Sequence, residues 1–142
     1  MKKVFSIILV LIFALCLLSS CSNKAEESQS LDGFVYVEVL DNEGKPMIEK
    51  SKVGFFEGIT AYDALKKACD EKKVQLKVSG FGNMIYVTSI GNLSEKDKGP
   101  MSGWIFMVNG DFPDRGIDQF KLNKEDVVVL KYTTGEEFGE GE

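Results

Sequence analysis

The only tryptophan of this 142-residue chain lies in Gly103-Trp104-Ile105-Phe106-Met107-Val108-Asn109-Gly110. The chemistry open to these residue types is recognition. An indole and a phenyl ring make a flat apolar platform, and a carboxamide beside them orients one polar edge. Tyr86, in a second alternating segment, and Tyr62, on a helix, add phenol rings that suit either a core or a site rim. Trp104, Phe106, Tyr86, Asn109 and Tyr62 are therefore the candidate ligand-binding residues. The two-residue alternation followed by Asn-Gly predicts a β-strand running into a type I′ turn, since both turn residues tolerate positive φ. Trp104, Phe106 and Val108 share one face, and Ile105 and Met107 the other. Both faces are apolar, so two readings stand: a strand covered on both sides by its own chain, or one covered on a side by a guest.

Bond-making chemistry finds little support. Histidine is absent, which removes the commonest general base, the commonest transition-metal ligand and any Ser-His or Cys-His dyad. Cys69 sits at helical spacing from Leu65 and reads as a small core residue. Glu57 and Asp63 are a carboxylate pair only in name, because Asp63 is claimed by a helix cap. Asp111, Asp114 and Asp118 lack the alternating spacing and the bidentate glutamate of a calcium loop. No phosphate-cradling loop, zinc spacing or nucleophile elbow is present. The expectation is a binding module that is not an enzyme, with no catalytic residue and no metal site.

The start of the chain carries an address. Lys2 and Lys3 precede an apolar run over residues 4–18, and Leu18-Ser19-Ser20-Cys21 follows. This order resembles the bacterial lipoprotein signal, which implies removal of residues 1–20 and acylation of the Cys21 thiol by palmitate-type chains. The expected location is the bacterial cell surface, on the outer face of the cytoplasmic membrane. The whole chain holds 17 basic and 22 acidic residues. Loss of Lys2 and Lys3 leaves a net charge of −7, which repels nucleic acid and anionic headgroups, so membrane contact falls to the lipid. Cys16 leaves with the signal and Cys21 is acylated, so Cys69 has no disulfide partner. Residues 21–30 are polar and form a tether, 31–134 the domain, and 135–142 an acidic tail.

Residues 31–40 and 47–56 alternate around Asp41-Asn42-Glu43-Gly44-Lys45-Pro46 and predict a hairpin. Thr60 and Asp63 form a capping box for a helix to about Lys72, with Ala61, Ala64, Leu65, Ala68 and Lys72 on its packing stripe. Strands follow at 74–78, 84–90, 103–108 and 127–133. A bend falls at 80–83, a polar loop at 91–102, and turn-rich or irregular connections at 111–126. This predicts an α+β domain in the order ββαβββ, a β-grasp-like mixed or antiparallel sheet packed on one main helix.

Four stretches then carry a family resemblance. They are Gly58-Ile59-Thr60-Ala61-Tyr62-Asp63-Ala64-Leu65, Tyr86-Val87-Thr88-Ser89-Ile90-Gly91, the tryptophan segment, and Asp126-Val127-Val128 with Lys131-Tyr132. In this order they resemble the transcobalamin-like C-terminal domain, a bacterial surface module, over about residues 31–134. The chain departs from the family at Phe106, where tyrosine is frequent, and at Glu125-Asp126, where Asp-Gly is common. The resemblance implies a cobalamin or corrinoid ligand, which such a domain encloses together with a larger helical domain. No stretch of these 142 residues is long enough for that helical domain, so the chain resembles half of a binding site. The expected role is small-molecule capture beside a membrane transporter. The alternative is a surface protein- or glycan-interaction module without a small-molecule site.

Overall fold

The computed structural model describes residues 32–81 and 84–135. The predicted signal, Cys21, the tether and all but the first residue of the acidic tail lie outside these. Strands β1 (Gly33–Leu40) and β2 (Pro46–Phe55) pair as an antiparallel hairpin. Its turn is built by the Asp41 carboxylate, which accepts the N–H groups of Glu43 and Lys45 at 2.8 Å each. Helix α1 (Ala61–Lys72) follows. The capping box is present: the Asp63 N–H donates to Thr60 Oγ1 at 3.1 Å and the Thr60 N–H to Asp63 Oδ2 at 3.0 Å, satisfying two otherwise orphaned donors. Ala61, Ala64, Leu65, Ala68 and Cys69 form its buried face against β1 and β2. Lys72, placed on the stripe by spacing, is exposed. A charged end on the last turn stays in water, where it also favours the helix C-terminus.

Strand β7 (Val127–Thr133) runs parallel to β1, and β6 (Gly103–Val108) pairs antiparallel with β7. The main sheet therefore has the order β2-β1-β7-β6. A second antiparallel sheet has the order β3-β4-β5, from Leu76–Phe81, Met84–Ile90 and Leu93–Ser94. The fold is α+β and sheet-dominated, as expected, but its order is ββαβββββ and it uses two sheets. The expected end of β3 at Val78 is corrected to Phe81. The strand continues because a glycine stands at position 80: its φ is +119°, and a Cβ there would lie 1.8 Å from the Met84 carbonyl oxygen. Of the expected bend at 80–83, residues 82 and 83 lie outside the described ones. β5 was hidden in a polar loop because two residues carry no readable alternation. Among the described residues no helix is long and apolar enough to cross a membrane.

The core joins Val35, Val37 and Val39 of β1 to Val128 and Leu130 of β7 and to the helix face. Cys69 is fully buried within it. Burial, with a smaller effect from the Asp70 charge, pushes its thiol up to about 11 from an ordinary 9.0. The folded state therefore keeps a proton that the unfolded chain releases first. This thiol leaves stability untouched below about pH 9 and lowers it as pH climbs toward about 11. Replacing Cys69 by alanine should flatten that part of the stability–pH curve in urea unfolding. Identical slopes for the two proteins would show that the thiol does not titrate this way.

Candidate functional site

The site begins with register. Val37 pairs with Val128 and Val39 with Leu130. In turn Val128, Leu130 and Tyr132 pair with Val108, Phe106 and Trp104. Paired residues share a face, so Trp104, Phe106 and Val108 lie together, as the alternation predicts, and the face they share is the core side. Helix α1 covers the β1–β2 half of that side, and β4 reaches β6 on the other half. The β6 residues are only half-buried up to Met107.

Tyr132 anchors this region. It is fully buried, and its hydroxyl donates to the Ser94 carbonyl at 2.6 Å while sharing a 2.9 Å bond with Ser102 Oγ. Trp104 stands edge-on to it, with ring centroids 5.1 Å apart and planes at 81°, a favoured aromatic geometry. The indole Nε1–H donates to the Leu93 carbonyl at 3.2 Å. One edge of the indole is thereby fixed to β5.

Beside these rings lies a groove of about 330 Å³, between β4 and β6. Ile85–Val87 line one side and Trp104–Phe106 the other, with Phe112, Pro113, Gly116, Ile117 and Leu130 completing it. No lining residue is charged. Three of the five candidate residues, Trp104, Phe106 and Tyr86, meet here. Tyr86 is 51% exposed, so its ring has area available to a guest. Phe112, 61% exposed, is a wall residue that the sequence reading missed. Its signal was available: a Phe-Pro pair amid polar turn residues has no local structural reason to be apolar.

The other two candidates lie elsewhere. Tyr62 is half-buried on α1, its N–H donating to the Ile117 carbonyl at 3.0 Å, and it does not line the groove. Asn109 and Gly110 form the expected tight turn, at φ +54° and +91°. The Asn109 amide is occupied within the protein. Its Nδ2 donates to Asp126 Oδ1 at 2.8 Å, and its Oδ1 accepts the Val127 N–H at 2.9 Å. Asp126 Oδ2 in turn accepts the Asn123 N–H at 2.7 Å. Asn109 thus clamps the end of β6 to the turn that starts β7. Among the described residues no group of His, Cys, Asp and Glu side chains could hold a metal ion. Asp114 pairs with Arg115, which holds its carboxyl below the usual range.

The model of a family described as Domain of unknown function (DUF4430) matches residues 58–134. In structure the chain is similar to a Ruminococcus gnavus ATCC 29149 protein named for a suspected metal-binding role. The identity is 12% and the TM-score 0.51, over 72% of this chain and 97% of that one. It is also similar to haptocorrin in complex with Cbi, at 13% identity and a TM-score of 0.54, over 71% of this chain. The match spans 25% of haptocorrin's length. At such identities the likeness is one of fold. No curated protein matches the chain in sequence.

The Asn109 clamp yields a prediction. Asn109→Ala removes two hydrogen bonds, leaves one oxygen of the buried Asp126 carboxylate without its partner and strains a positive φ, so it should cost about 2 kcal/mol in urea unfolding. Asn109→Gly relieves only the strain and should recover a minor part. Full recovery with glycine would mean that the turn conformation, not the clamp, is what asparagine supplies.

Proposed function

This chain belongs to the DUF4430 family, and we propose that it is a membrane-tethered, extracytoplasmic binding module whose groove takes a flat, largely apolar small molecule of the corrinoid class. The observation that carries this reading is the meeting of Trp104, Phe106, Tyr86 and Phe112 around one uncharged groove. Small-molecule sites are concave, mostly apolar and sparing in polar groups. The volume, about 330 Å³, lies at the low end of the range of such sites, roughly 300–1,000 Å³. A corrinoid would therefore rest on this face with much of its surface still open, to be covered by a second protein. The solved complex of haptocorrin with Cbi favours a corrinoid among flat guests. Cys21 carries the lipid anchor, and capture beside an uptake transporter is the role that fits an anchored half-site. The groove offers a platform and no charged reactive group, which fits binding without catalysis.

A protein- or glycan-interaction module is the second reading. It is favoured by Phe81 and Met84, 91% and 75% exposed on one face of the β3–β4 hairpin. Such apolar exposure suits a macromolecular contact.

Two measurements decide. Trp104 is the only tryptophan, so its emission reports the groove alone. Cobalamin, which absorbs in that range, should quench it saturably, and Phe112→Ala should weaken the effect. No quenching and no calorimetric heat at high micromolar cobalamin would sink the corrinoid reading. Separately, Cys21→Ala should abolish incorporation of labelled palmitate in a bacterial host and release the protein from the membrane fraction. Retention of both label and membrane association would overturn the anchor at Cys21.

A further inference from the structure

The outer edge of β6 is undefended. Exposed strand edges invite pairing, and proteins protect them with charge, proline or bulges. β2 carries Pro46, Glu49, Lys50 and Lys52, with irregular register against β1. β3 carries Lys77 and a register shift beside it. β6 has none of these. Gly103 to Val108 contains no charge and no proline, and its pairing with β7 is unbroken.

The hydrogen bonds show which groups this edge presents. The Asn109 N–H donates inward to the Val127 carbonyl at 2.9 Å. Val108 points the other way: its N–H donates to the Asp111 carbonyl at 2.9 Å and its carbonyl accepts the Asp111 N–H at 3.0 Å. Main-chain direction alternates along an antiparallel strand. The N–H and C=O groups of Phe106 and Trp104 therefore face outward on the same side as those of Val108. Asp111 makes the first rung of an added strand, and the chain then leaves the edge through Phe112 and Pro113. Across the groove, β4 is bonded on its β5 side only from Thr88 onward, so Ile85–Val87 flank the open β6 edge.

We propose that β6 accepts an extended peptide strand, paired to the outward main-chain groups of Phe106 and Trp104. This peptide is apolar at alternate positions and basic at the end lying over Asp111. The charge argument comes from the hollow that shares Phe112 and Pro113 with the groove: it is lined by three acidic residues, Asp111, Asp114 and Asp126, and by no basic one, with Arg115 paired to Asp114 beside it. The chain's own ends do not suit the edge. Residues 22–31 are Ser- and Glu-rich, and residues 136–142 hold four glutamates in seven. A second folded copy brings the same flanking residues, Ile85–Val87 and Phe112–Pro113, whereas a lone strand brings none. Main-chain bonds would supply affinity and alternate side-chain contacts specificity. The proposal does not rest on the corrinoid reading, because these groups lie in the plane of the sheet and the aromatic rings on its core face.

The test is selection of phage-displayed random dodecapeptides on the full chain held in detergent micelles, followed by synthesis of the enriched sequences. The expected winners alternate apolar residues, end in Lys or Arg and shift Trp104 emission. N-methylation at every second residue in one register should weaken binding at least about tenfold, and in the other register leave it unchanged. The unaltered protein is used throughout, so folding of a variant is not at issue. No enrichment over bare micelles overturns the proposal, as does binding indifferent to N-methylation in both registers. Sedimentation showing a dimer that excludes the peptides assigns the edge to a second copy and also overturns it.

Discussion

The parallel pairing of β1 with β7 is the constraint on which the other elements depend. It joins Tyr36–Leu40 to Val127–Lys131, two stretches at opposite ends of the described chain. Parallel neighbours cannot be joined by a tight turn and need a crossover. Here the crossover holds everything else: the return strand β2, the helix, the whole second sheet and β6. The inner side chains of the pair, Val37, Val39, Val128 and Leu130, are essentially inaccessible. Burial of that size contributes on the order of 2 kcal/mol for each such side chain. Such a long loop closure is entropically costly, so the pair needs further fastening.

That fastening is polar and centres on Asp126. Its carbonyl accepts the Tyr36 N–H at 2.8 Å, and the adjacent Glu125 N–H donates to the Phe34 carbonyl at 2.8 Å. Its carboxylate holds Asn109 and the Asn123 N–H. The Asp126 carboxylate thus ties β6 to the turn before β7, and the main chain at Glu125–Asp126 ties that turn to β1. A buried charge is tolerable only when hydrogen-bonded in this way. At the far end of β7, the Tyr132 hydroxyl does the corresponding work, fastening the second sheet through Ser94. The groove lies between these two fixed points, which is why its walls are held in place although its lining is only half-buried.

Much of this was legible in the sequence wherever a local rule governs. Alternation placed β1, β4 and β6, a β-branched run placed β7, the Thr60–Asp63 spacing placed the helix start, and Asn109-Gly110 announced its turn. What stayed hidden depends on distant partners. Leu93-Ser94 is a strand only because Ser89 and Ile90 lie opposite. The phenol of Tyr132 is buried only because Ser94 and Ser102 meet it there. Asn109 read as turn chemistry with a carboxamide to spare, yet that carboxamide is taken by a carboxylate seventeen residues on. Of the candidate site, the two β6 rings and Tyr86 follow from alternation. Phe112 does not, because a wall is defined by what stands across from it.

The double apolar character of β6 now has a physical account. Its core face is shared between Tyr132, the packed interior and the groove, so Trp104 is both an interior contact and a lining residue. Its other face, with Ile105 and Met107, belongs to the side of the main sheet away from the helix, where Val129 and Lys131 pair with them. Burial of either face does not explain why the edge itself lacks a charge. A lysine at position 105 or 107 would leave the core side untouched and guard the edge, as Lys52 does on β2. An edge left apolar along its full length, with Ile85–Val87 and Phe112–Pro113 lining the groove beside it, is what selective pairing requires. The same flanking residues limit the self-association that such an edge would otherwise invite.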